Sequence, residues 1–140
     1  MFKFISSSAS ETENIGIKLA QKLKGREVIA LFGGLGAGKT SFTRGLAAGL
    51  GFEDGVSSPT FALVHEYDGR FPIFHFDMYR VASYDDLYST GFFDYIGNGI
   101  LVIEWSENIE GALPNDAIRV VLKPLSENER EITISGVDME

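Results

Sequence analysis

The stretch that most constrains this chain is Val28-Ile29-Ala30-Leu31-Phe32, followed at once by Gly33-Gly34-Leu35-Gly36-Ala37-Gly38-Lys39-Thr40. Five consecutive apolar residues leave no polar side for water, so they read as a strand covered on both faces, as in a parallel sheet. The glycines end that strand. Ser41 to Leu50 then sets Phe42, Leu46, Ala47 and Leu50 at helical spacing and stops at Gly51. Strand, glycine loop and helix in this order open an α/β unit.

Gly33, Gly38, Lys39 and Thr40 match G-x-x-x-x-G-K-[ST], the phosphate-loop pattern. Glycine reaches the dihedrals that turn successive N–H groups into one hollow, and the helix N-terminus behind it adds about half a positive charge. Both favour a phosphate tail. The candidate nucleotide-binding run is therefore Gly34, Leu35, Gly36, Ala37, Gly38, Lys39, Thr40 and Ser41, with Lys39 bridging the outer phosphates and the Thr40 hydroxyl on Mg²⁺. N-K-x-D, the guanine signature, occurs nowhere, although Asp94-Tyr95-Ile96-Gly97 spells D-x-x-G. The expected cofactors are ATP and Mg²⁺.

Two further apolar runs end in acid. Ile100-Leu101-Val102-Ile103 leads to Glu104, the Walker-B position, and Ile73-Phe74-His75-Phe76 leads to Asp77. Either carboxylate could be the metal ligand, and the sequence does not rank them. Ser57-Ser58-Pro59-Thr60-Phe61 is both a switch-like segment that could sense the γ-phosphate and an ordinary turn into a strand. Arg80 fits a transition-state charge supplied in cis and fits a structural ion pair equally. Trp105 follows Glu104, a place for packing or for contact with a nucleotide. His65 and His75 have no Cys and no third convergent ligand, so they read as satisfied strand histidines. Phe42, Phe74 and Phe76 read as core.

The rest of the chain fits one domain spanning residues 1–140. Phe2 and Phe4 alternate like an edge strand, and Ser10 with Glu13 forms a capping box ahead of Ile15, Leu19, Ala20 and Leu23. Strands are expected at Thr60–Tyr67, Ile73–Asp77, Ile100–Glu104, Ile118–Lys123 and Glu131–Ser135, with a helix at Asp85–Thr90 and a hairpin turn at Ser126–Arg130. The expected fold is α/β: a mixed sheet with parallel core strands and antiparallel C-terminal strands, flanked by helices. Twelve Lys and Arg against twenty Asp and Glu leave a net charge of −8, so no basic stripe exists for direct, tight nucleic-acid binding. The absence of Cys excludes thiol chemistry. Apolar runs near five residues fall far short of the roughly twenty that a membrane helix needs. With no secretory apolar region near Met1, the expected address is the cytoplasm.

Taken together these residues resemble the TsaE (YjeE) family of small bacterial P-loop ATPases required for threonylcarbamoyladenosine modification of tRNA. The resemblance runs from about Ser10 to about Leu122. It is carried by Leu35-Gly36-Ala37-Gly38-Lys39-Thr40, Ser58-Pro59-Thr60-Phe61, Leu63-Val64, Glu66-Tyr67, His75-Phe76-Asp77-Met78-Tyr79-Arg80, Ile103-Glu104-Trp105, Gly91-Phe92-Phe93-Asp94-Tyr95 and Leu113-Pro114. Gly34 departs from it, since relatives commonly carry an acidic residue there. The resemblance implies an ATPase working with TsaB and TsaD, docked by ATP binding and reset by hydrolysis. It implies Thr40 and Glu104 as Mg²⁺ ligands, Asp77 and Thr60 in switch-like segments, and an adenine pocket near Thr12, a residue that a helix cap explains equally well. A small-molecule kinase is an alternative, but the six arginines, Arg26, Arg44, Arg70, Arg80, Arg119 and Arg130, form no lid cluster. A nucleotide-dependent binding switch is the other.

Overall fold

The computed structural model describes residues 1–34, 37–52, 64–79 and 81–140. Its centre is β2, Val28–Phe32, which pairs in parallel with β5, Ile100–Glu104, on one side and with β6, Ile118–Pro124, on the other. Two neighbouring strands and helices on both faces explain why β2 can be apolar at every position. The full order is β1-β7-β6-β2-β5-β4-β3, with β1 at Phe2–Ser6, β3 at Val64–Asp68, β4 at Pro72–Asp77 and β7 at Arg130–Ser135. β4 joins β5 in parallel, while β7 runs antiparallel to both β6 and β1. The mixed sheet expected from the sequence is present, and β3, antiparallel to β4, adds a second antiparallel edge. The Thr60–Leu63 part of the expected β3 strand lies outside the described residues.

Helices α1, Ala9–Ala20, and α2, Lys39–Gly49, cover one face of the sheet, enclosing Leu19, Phe42 and Leu46 with Ile29, Leu31 and Val102. The other face is covered by α3, Tyr84–Ser89, α4, Phe92–Tyr95, and the 3₁₀ turns at Ser106–Ala112, over Phe74, Phe76, Leu101 and Ile103. Phe42, Phe74 and Phe76 are core residues, as their patterns predict.

The start of α1 corrects the sequence reading. Ser8, not Ser10, is the N-cap: its hydroxyl accepts from the Glu11 amide, and the Glu11 carboxylate accepts from the Ser7 amide. Both serines precede a glutamate by three positions, so local chemistry leaves the choice open. Thr12 breaks the tie. It is buried, and its hydroxyl lies 2.7 Å from Ser6 Oγ and donates to the Ser8 carbonyl, which ties the first helical turn to the end of β1.

α1 and α2 meet through small residues. A Cβ on Gly45 would lie 1.9 Å from the Glu13 carbonyl oxygen, and one on Gly16 would lie 2.4 Å from that of Phe42. This close approach brings the first turn of α1 beside the loop that opens α2. Gly45→Ala is expected to cost about 3 kcal/mol of unfolding free energy by urea titration, because backbone cannot yield as a side chain can. Gly111→Ala, where a Cβ meets nothing within 4 Å, should leave the midpoint nearly unchanged.

Glu27 closes the turn into β2. Partial burial alone would push its carboxyl up, but the amides of Lys24, Gly25, Arg26 and its own backbone outweigh that and hold it below its ordinary value of 4.5. A carboxylate held low in the folded state contributes stability above the ordinary carboxylate range and loses it as pH falls through the folded value. Glu27→Gln should therefore be less stable than the parent at pH 7, and the gap should close below pH 4.5 in a series of thermal melts.

Candidate functional site

The site forms where β2, β5 and β4 end, on the face carrying α2. Gly38 lets the chain turn from β2 into the helix. Its φ of +97° is left-handed, and as N-cap it offers no side chain to the first amides of α2. Those amides therefore have no side-chain cap, the condition in which a helix N-terminus favours an anion. The helix begins at Lys39, two residues earlier than its apolar pattern indicates, because this turn is set by backbone geometry and leaves no mark in apolar spacing. Ala37 is buried and its amide donates to the Gly34 carbonyl, whereas Gly34 faces open space.

Lys39 is 6% exposed, and its ammonium is the one buried side-chain nitrogen or oxygen among the described residues with no hydrogen-bond partner. What it has is the Trp105 ring, whose centroid lies 4.2 Å from Nζ. Trp105 adopts φ 60° and ψ 40°, the only left-handed non-glycine conformation among the described residues, with the Tyr79 ring packed 4.9 Å away. Backbone outliers of this kind cluster at functional sites. Glu107 reaches from the next turn to accept a 3.0 Å hydrogen bond from the Gly33 amide, which holds the base of the loop to the segment that carries Trp105.

Glu104 is 4% exposed at the end of β5 and stands opposite Asp77 in the parallel register. Its Oε2 accepts a 2.6 Å hydrogen bond from His75 Nε2, and the Tyr67 hydroxyl lies 3.1 Å from Nδ1 of the same ring. His75 is thus a satisfied, fully buried strand histidine. Asp77 is half-buried, and its Oδ1 accepts from the Tyr79 amide. Thr40 and Ser41, both half-buried, occupy the first turn of α2. Thr12 is not the cap of α1. Its methyl lies beside Gly38, since a Cβ built there would be 3.8 Å away. A cavity of about 220 Å³ opens between Thr12, Gly38 and Ser41 on one wall and, on the other, Glu127 and Asn128 of the β6–β7 turn with Arg130 at the start of β7.

The structure thus places Ala37, Gly38, Lys39, Thr40, Ser41, Asp77, Glu104 and Trp105 at or just beyond the carboxyl ends of β2, β4 and β5, with Thr12 beside Gly38. Leu35, Gly36, Thr60 and Arg80 lie outside the described residues. Sequence reasoning missed the His75–Tyr67 support, the Glu107 tether and the β6–β7 turn. His75 sits two positions before Asp77 on the same face, which was a usable signal; the turn lies some ninety residues from the loop and carried none.

The donor set fits a triphosphate and a hard cation. An unpartnered buried ammonium and uncapped helix amides want an anion, and Mg²⁺ commonly takes only one or two protein oxygens, with phosphate and water as the rest. No group of three His, Cys, Asp or Glu able to hold a metal by itself exists among the described residues. Such a group is not what this chemistry needs. No described helix is long and apolar enough to cross a membrane.

These features define an α/β protein with a lysine-bearing glycine loop at the carboxyl edge of parallel strands. A family model described as threonylcarbamoyl adenosine biosynthesis protein TsaE matches residues 6–132, and the chain belongs to that family. Among similar proteins, all called tRNA threonylcarbamoyladenosine biosynthesis protein TsaE, that of Treponema pallidum is 39% identical, covering 94% of this chain and 98% of its own. The Bacillus subtilis protein is 40% identical over 96% of this chain and 85% of its own, and that of Aquifex aeolicus 42% over 93% and 92%. The crystal structure of YdiB from Bacillus subtilis superposes with a TM-score of 0.77 at 36% identity, covering 98% of this chain and 86% of that one.

Lys39→Met is expected to raise the melting temperature of the ligand-free protein by several degrees, equivalent to about 1 kcal/mol. It removes a buried ammonium that lacks an acceptor and keeps an unbranched apolar side chain one atom shorter. A lower melting temperature would mean that the contact with Trp105 outweighs that penalty.

Proposed function

We propose that this protein is an Mg²⁺-dependent ATPase of tRNA threonylcarbamoyladenosine biosynthesis. In this reading it acts in the cytoplasm with TsaB and TsaD, docking when ATP binds and resetting that complex on hydrolysis. The single observation that carries the ATPase reading is the Lys39 ammonium, buried against the Trp105 ring and without a hydrogen-bond acceptor. A γ- or β-phosphate oxygen supplies the missing partner. Family membership supports the pathway, and the net charge of −8 suits a chain that works through protein partners rather than by gripping tRNA itself.

In this mechanism the amides at the start of α2 receive phosphate oxygens, and Lys39 leaves the Trp105 ring to neutralise charge that grows in the transition state. Thr40 and Glu104 would hold Mg²⁺, which when bound would neutralise phosphate charge. Asp77, beside Glu104, orients polar groups around the γ-phosphate, and Thr60 and Arg80 are proposed to complete that end. The cavity beside Thr12 accommodates the base, with Asn128 and Arg130 as its far wall. Nothing beside the loop among the described residues is an evident general base for water, so intrinsic turnover is slow.

Lys39→Ala should lose most affinity for ATP in a titration of Trp105 fluorescence, and an unchanged titration would remove the site. Glu104→Gln, which can still accept from His75, should keep ATP binding while hydrolysis falls on the order of 10²-fold. Phosphate release rather than transfer to added hydroxyl acceptors separates this ATPase from a kinase. Stimulation by TsaB and TsaD together tests the partner assignment.

A further inference from the structure

We propose that His75 is a positioning residue for Glu104, and that Tyr67 sets the His75 ring in turn. The inference rests on the ATPase reading and deepens it. Tyr67, His75 and Glu104 stand on three successive strands, β3, β4 and β5, and on one face of the sheet. All three are nearly or wholly buried, and the Tyr67 ring is itself stacked on Phe52 at 4.8 Å. A carboxylate only accepts, so Nε2 carries the hydrogen in the 2.6 Å contact whatever the charge on the ring. The Nδ1 on the far side is then held by the Tyr67 hydroxyl.

The consequence falls on the two oxygens of Glu104. Oε2 is engaged by His75, while Oε1 accepts no hydrogen bond from the described residues. A side chain with three rotatable bonds is thereby reduced to one presentation, with a single oxygen available for cation or water. Polar partners behind a metal-binding carboxylate act in this way, and losing one typically costs about 10- to 100-fold in metal affinity or activity. Merely satisfying a buried histidine would not require this order of three groups; a carbonyl would serve.

The test contrasts two polar replacements in the full chain. In His75→Gln the amide nitrogen can take the place of Nε2, whereas the side chain of His75→Asn is one carbon shorter and falls short of Glu104. His75→Gln should stay within about threefold of the parent in ATP turnover. His75→Asn should lose about 10- to 100-fold, and the Mg²⁺ concentration giving half-maximal nucleotide binding, read from Trp105 fluorescence, should rise by a similar factor. Its nucleotide affinity without Mg²⁺ should stay within about twofold, a separation that a general loss of structure would not produce. Tyr67→Phe, which keeps the ring and removes only the hydroxyl, should raise the Mg²⁺ half-point about threefold; it decides the matter if circular dichroism shows His75→Asn unfolded.

Equal behaviour of Gln and Asn, or a matching fall in Mg²⁺-free affinity, overturns the positioning role. So does an unmoved Mg²⁺ half-point in Tyr67→Phe. Glu104→Gln separates the two layers: if it is slow and His75→Asn is not, only the positioning role fails. If Glu104→Gln hydrolyses ATP like the parent, the role assigned to Glu104 falls and the inference with it.

Discussion

Everything at the site depends on β2 lying parallel between β5 and β6 in the middle of the sheet. The register sets Ala30 against Ile103, so β2 and β5 end at the same level. One delivers the glycine loop and the other delivers Glu104. The parallel pairing of β4 with β5 then places Asp77 directly opposite Glu104. In open α/β sheets the carboxyl ends of the strands are where ligands commonly gather, and here two parallel pairings, β2 with β5 and β4 with β5, bring the candidate residues to that end.

The second constraint is the close approach of α1 to α2. Gly16 and Gly45 let two backbones meet where any side chain would collide. That contact carries Thr12 to the side of Gly38 and forms one wall of the cavity beside the loop. Helix packing and the cavity wall are therefore one arrangement, and damage to the first should reach the second.

Buried polar chemistry in this protein is concentrated where function is proposed. Lys39 lacks an acceptor, Trp105 holds an unfavourable backbone, and His75 and Glu104 share a short buried hydrogen bond. The other buried polar side chains among the described residues are hydroxyls: Ser6 and Thr12 lie against each other, and Thr43 and Ser106 donate to backbone carbonyls. A buried ammonium without a hydrogen-bond acceptor is costly, and this is the observation on which the proposed ATPase reading rests.

Much of this was legible in the amino-acid order. The run Val28–Phe32, the glycine loop with Lys39 and Thr40, and the acids closing two apolar strands indicate a parallel α/β core, which the structure has, and a candidate phosphate site at its carboxyl end, because local patterns of apolarity and glycine report local backbone and burial. The choice of Ser8 over Ser10 as cap was not legible, since two identical local signals compete and only the contact of Thr12 with Ser6 separates them. Nor was the joining of Tyr67 and His75 to Glu104, or of the β6–β7 turn to Thr12. Sequence alone determined which residue types could bind phosphate and on what element each would sit. The tertiary structure decided which of them meet, because strand register and helix docking act between segments far apart in the chain, where no local pattern can record them.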